Sequence, residues 1–83
     1  MDKDMIMERI ERQKVLAETF LKNNIRVAVT DLENNYYFAD ILFVGDDRLT
    51  IQCFAPEKKA GQKFYLFWAS IIKFEEYHER VEE

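Results

Sequence analysis

The stretch YYFADILFVGDDRLTIQCF, residues 36–54, decides the fold. Its first part is apolar on both faces of an extended chain, with Tyr37, Ala39, Ile41 and Phe43 on one side and Tyr36, Phe38, Leu42 and Val44 on the other. A strand of that kind needs two covers. Gly45-Asp46-Asp47-Arg48 supplies tight-turn chemistry, and Leu49, Ile51 and Cys53 then alternate with Thr50, Gln52 and Phe54, as a half-buried strand does. Two strands and the turn between them are therefore fixed before anything else is read.

Working outward, Asp31-Leu32-Glu33-Asn34-Asn35 is a further turn, and before it Ile25, Val27 and Val29 alternate with Arg26, Ala28 and Thr30 as another strand. From about residue 4 to 22 there is no Gly or Pro, and Asp2 or Asp4 can cap the first turn. A helix follows from this, with Ile6, Ile10, Ala17 and Leu21 near one stripe and Leu16 and Phe20 beside it. Asn23-Asn24 ends it, because Asn tolerates the left-handed conformation. On the other side, residues 55–61 form a loop with the only proline, residues 62–68 a fourth strand and residues 70–77 a short fifth. Residues 78–83 are a charged tail.

Eighty-three residues close one core, so the expectation is a single domain over residues 1–83, with a helix at about 4–22 and a barrel at about 25–77. One helix followed by five short strands points to a mainly β, strongly bent antiparallel barrel, since a small sheet removes its edges by curling. OB-fold and SH3-like barrels both have that count. The helix comes first here, whereas an OB-fold places it between the third and fourth strands, and the SH3-like barrel is the better fit.

Twelve Lys and Arg against sixteen Asp and Glu give a net charge of −4, so no global field draws the chain to phosphate or to an anionic bilayer. Any nucleic-acid contact has to be local. The single cysteine, Cys53, forms no internal disulfide or thiolate cage, alternates inward with Leu49 and Ile51, and reads as a small buried hydrophobe. No apolar run reaches spanning length and the first residues have the wrong charge for a signal peptide; the expectation is a cytoplasmic protein without membrane contact. Asp46-Asp47 lacks the further oxygen ligands a metal needs, and His78 has no Ser or Cys partner at a suggestive spacing. Neither catalytic residues, a metal nor a cofactor is expected, and an enzyme is not.

The run Ile25-Arg-Val-Ala-Val-Thr30, then Ala39-Asp-Ile41, then Val44-Gly-Asp-Asp-Arg-Leu-Thr-Ile51 resembles the first motif of the Sm and Lsm proteins, including their bacterial relative Hfq. The resemblance spans roughly residues 15–77. Ala39 stands where the family carries a glycine, and Asp46, Leu49 and Thr50 match its Asp-x-x-Met-Asn turn with one residue inserted near Gly45. Phe67-Trp68-Ala69 falls at the Ile-Arg-Gly of the second motif, and Gln62-x-Phe64-Tyr65 is similar to the start of the Hfq version.

The resemblance implies an Sm-like barrel, a ring of six or seven copies of the chain, and single-stranded RNA bound at the pore-side turns. Its implied RNA-binding residues are Asp46, Arg48, Leu49, Thr50 and Trp68, with Arg48 at the stacking position, Thr50 at the Asn and Trp68 at the Arg. Only Arg48 is an evident substitute, since a guanidinium plane stacks on a base and attracts phosphate. Thr50 lacks an amide's paired donor and acceptor, so uridine selectivity should be weakened; Trp68 could stack a base but belongs to an apolar strand, where Trp is usually core or interface. The implied subunit interface is Phe64, Tyr65, Leu66, Phe67, Ile71 and Ile72. An oligomeric protein-interaction module on the same fold, without RNA binding, is the alternative, favoured by the acidic charge and the missing Asn and Arg.

Overall fold

The computed structural model describes residues 3–78, with side chains from residue 5 onward. Helix α1 (Lys3–Lys22) is followed by β1 (Val27–Asp31), β2 (Tyr36–Val44), β3 (Arg48–Ala55), β4 (Lys63–Phe67) and β5 (Ile71–Glu76). Short 3-10 turns occupy Glu57–Lys59 and Trp68–Ser70. All pairings are antiparallel, and the sheet runs in the order β4-β3-β2-β1-β5. The chain is thus mainly β, one helix leading a five-stranded antiparallel sheet, consistent with an Sm-like fold.

One expectation is corrected: the barrel is not closed. β4 and β5 are the two edges of the sheet and are joined through the Trp68–Ser70 turn. The bend itself comes from register shifts between Thr30 and Asp31 in β1, and between Phe38 and Ala39 and between Ile41 and Phe43 in β2. An extra residue on one strand sharpens the local twist, which curls the sheet around its inner face. Ala39, fully buried at the middle of β2, leaves room for that curl with its single methyl group.

Along β3 the sequence alternation holds: Leu49, Ile51 and Cys53 are buried, while Thr50 and Gln52 on the other face are half-buried. With Val27, Val29, Tyr37, Ala39, Ile41, Leu66, Trp68 and Ile71 they form the core, which Ala17 and Phe20 of α1 cover. Burial pushes the Cys53 thiol pKa up, the nearby Lys59 charge opposing this in part.

The helix buries a narrower stripe than expected. Gln13, Ala17 and Phe20 face the sheet with Ile10 beside them, whereas Leu16 and Leu21 are exposed. At the α-helical turn angle, residues 13, 17 and 20 fall within about 60° of one another and residues 16 and 21 flank them on either side. Asn24 ends the helix with a φ of 55°, as expected. Ile25 N–H donates to Phe20 O at 2.8 Å and Asn24 N–H to Leu21 O at 3.3 Å, a Schellman arrangement that brings Ile25 against the core next to Phe20. The caps at Asp2 and Asp4 and the tail beyond His78 lie outside the described side chains.

Candidate nucleic-acid interface

The turn between β2 and β3 closes with Gly45 N–H donating to Arg48 O at 2.9 Å. Space favours Gly45: a Cβ there would stand 3.0 Å from Arg48 O and 3.2 Å from the Phe43 ring, tight contacts that the turn or the ring would have to relieve by a small shift. Two carbonyls of the turn are held by one residue of the β4–β5 connection. Trp68 donates its backbone N–H to Asp47 O at 3.0 Å and its indole Nε1–H to Gly45 O at 2.9 Å. The β2–β3 turn and the β4–β5 connection are thereby clamped together, the two segments that the resemblance brings to one end of the barrel.

Of the five RNA-binding residues implied, the clamp divides buried from exposed. Leu49 is fully buried and Trp68 is 1% exposed, so both hold the turn from beneath and neither offers a face to a base. Trp68 is corrected in this respect to a core residue whose polar edge is spent on the turn. Asp46, Asp47 and Arg48 are exposed, and Thr50 is half-buried. The Arg48 Nε lies 3.4 Å from Asp47 Oδ1, and its guanidinium carbon lies 5.6 Å from the centroid of Phe67.

Phe67 was expected at a subunit interface, and its place beside Arg48 follows from strand register. β3 and β4 pair Arg48 with Phe67, Thr50 with Tyr65 and Gln52 with Lys63, all on the outer face. Phe43 of β2 stands opposite Thr50 on the other side. Tyr65 is 63% exposed, Phe43 61% and Phe67 57%. Toward the β2–β3 turn, the outer face of β2, β3 and β4 therefore carries three open aromatic side chains, Phe43, Tyr65 and Phe67, with two cations, Arg48 and Lys63, alongside. Alternate residues of a strand face are about 7 Å apart and neighbouring strands just under 5 Å, so the rings form a sequence of separate platforms. The alternation within residues 63–67 carries this signal, since Tyr65 and Phe67 fall on the face opposite Phe64 and Leu66.

The same parity divides the six interface residues. Leu66 and Ile71 are buried in the chain's own core, and Phe64 packs edge-on against Tyr37 with ring centroids 4.9 Å apart. Tyr65, Phe67 and Ile72 remain exposed, on the two edge strands. Three lysines close in sequence, Lys58, Lys59 and Lys63, are also divided. Lys59 donates from Nζ to Tyr36 O at 2.7 Å and sits 4.5 Å from the Tyr37 ring centre, so it pins its loop to β2, while Lys63 stays on the outer face.

No known protein-family model matches the chain, and a search of curated proteins finds no match either. No helix among the described residues is long and apolar enough to cross a membrane.

Proposed function

We infer that the chain is an Sm-like subunit that associates with copies of itself through its β4 and β5 edges and binds single-stranded RNA on the β2–β3–β4 face next to Arg48. The observation that carries the RNA half is the row of exposed rings, Phe43, Tyr65 and Phe67, flanked by Arg48 and Lys63. Stacking on such rings tolerates any base, each worth about 1–3 kcal/mol, and the flanking cations follow the phosphates. The fold supports the assembly half: two unpaired edges with exposed apolar side chains invite strand addition, and a head-to-tail contact of unlike edges closes into a ring when its rotation permits.

Base selectivity is weak in this scheme. Thr50 presents one hydroxyl and Trp68 is enclosed, so no paired donor and acceptor reads a uracil edge. Binding of labelled oligo(U) and oligo(A) at low salt, followed by fluorescence anisotropy, tests the proposal. Both are expected to bind with similar affinity, and Arg48→Ala and Phe67→Ala are each expected to weaken both. Strongly uridine-selective binding that survives Arg48→Ala would place the pocket elsewhere. No binding to either oligomer would favour the second reading, a protein-interaction module, which the net charge of −4 and the carboxylates of Asp46 and Asp47 beside Arg48 support.

A further inference from the structure

A second aromatic group lies on the outer surface, at the far end of β1 from the turn Asp31–Asn35. The Arg26 guanidinium lies over the Phe54 ring, 4.2 Å from its centroid, and Arg26 Nε is 3.3 Å from Asp40 Oδ1. Phe54 meets Tyr77 edge-on at 5.0 Å, and Tyr77 tilts against Phe38 at 5.4 Å. One ring of this group thus already seats a guanidinium with a carboxylate beside it.

The other two rings border an open cleft of about 510 Å³, whose lining also includes Ala28, Glu75, Glu76 and, at its end, His78. Ala28 is central to it. In the sheet register Ala28 has Phe38 opposite on β2 and Glu75 opposite on β5. A single methyl group between a ring and a carboxylate leaves a notch with an electron-rich wall on one side and a negative charge on the other. Glu75 is met by Lys73 at 3.6 Å, but both side chains are more than half exposed, so that pair is weak and exchangeable. An anionic ligand would be repelled by two carboxylates, and an aliphatic one would strip them of water without return. A planar cation is attracted by both walls.

We propose that this cleft docks an arginine side chain carried by a basic segment of a partner protein, the guanidinium entering the notch over Ala28 between Phe38 and Glu75. The chain's own Arg26 on Phe54, with Asp40 alongside, is the same chemistry realised internally one ring away. The net charge of −4 steers a basic segment toward the surface. The site lies apart from the Arg48 face and does not depend on RNA binding.

The experiment is an amide chemical-shift titration of the full chain with an alanine–arginine pentapeptide, blocked at both ends, against the same peptide with neutral citrulline in place of arginine. Shifts are expected at Ala28, Phe38, Glu75 and Tyr77 with the arginine peptide only. The double variant Glu75→Gln, Glu76→Gln, at exposed positions that leave the core intact, is expected to bind roughly tenfold more weakly. Ala28→Leu, which fills the notch, is expected to abolish the shifts at those amides. Equal shifts with the citrulline peptide, shifts confined to Asp46 and Asp47, or no shifts at millimolar peptide would overturn the proposal.

Discussion

Tyr37 donates its phenolic hydrogen to Asp31 Oδ2 at 3.0 Å, joining the start of β2 to the end of β1 beneath their turn. The same carboxylate accepts from Glu33 N–H at 2.9 Å, Asn35 N–H at 3.0 Å and Asn35 Nδ2 at 3.2 Å. Burial raises the Asp31 pKa, but the hydrogen bonds from Asn35, Tyr37 and Glu33 outweigh it and hold the group below its ordinary value. Burial and the Asp31 carboxylate together push the Tyr37 hydroxyl up to about 12. One turn is thus stabilised by a carboxylate that must stay ionised and a phenol that must stay neutral.

The pH dependence follows from those two directions. The Asp31 contribution is present above its unfolded-state value near 3.8 and is lost as pH falls below it. The Tyr37 contribution is complete below about 10, the unfolded value, and is lost as pH rises toward about 12. Chemical denaturation across pH should show stability falling at both ends. Tyr37→Phe should cost about 1–2 kcal/mol at neutral pH and remove the part of the alkaline loss owed to this phenol. An unchanged alkaline limb in that variant would show that the phenol does not carry it.

Gln13 is a core-facing position where a polar side chain is poorly served. Its Nε2 reaches Ile71 O only at 3.5 Å, and its buried Oε1 has no partner. Gln13→Met keeps the length of the side chain and removes the unpaired oxygen. The variant should be more stable by about 1 kcal/mol, read as a higher denaturation midpoint at unchanged slope.

Trp68→Phe tests the clamp. The variant keeps a ring in the core but leaves the Gly45 carbonyl without its indole donor, at a cost of about 2 kcal/mol including the smaller ring's lost contacts. Amide exchange at Gly45 should accelerate more than exchange at Ile51 or Val29, which lie in the sheet. Uniform acceleration would mean that the indole supports the whole core equally and does not act on the turn in particular.

How far the sequence alone reaches is clear from these residues. Period-two alternation placed β1 and β3 within a residue or two, the Asn pair placed the helix end, and the helix-first order separated the fold from its nearest competitor. Sheet closure was not legible, because it depends on the path of the Trp68–Ser70 turn between two edges, a tertiary property. Continuity of apolar character extends β4 to Trp68; the chain in fact leaves the strand at Phe67, and the indole, on the same face as Leu66, stays in the core. The Arg48–Phe67 neighbourhood required the β3–β4 register, which no local pattern encodes.

The last expectation concerns self-association. Tyr65 and Phe67 project from edge strand β4 and Ile72 from edge strand β5, all exposed, while Leu66 and Ile71 between them already serve the core. Substituting an exposed residue should therefore change assembly without unfolding the subunit, whereas Leu66→Asp would do both and decide nothing. Ile72→Lys puts a charge where β4 of a neighbour would lie, and a desolvated unpaired charge costs several kcal/mol at each contact. Light scattering should show the wild type as a closed oligomer at micromolar concentration and Ile72→Lys as a smaller species with an unchanged circular-dichroism spectrum. Because every subunit contributes one β4 and one β5 edge, Tyr65→Lys, changed on the opposite edge, should fail in the same way. Mixing the two variants restores at most one intact junction per pair, so the mixture should stop at dimers. A wild type that is monomeric under these conditions would remove the assembly half of the proposed function.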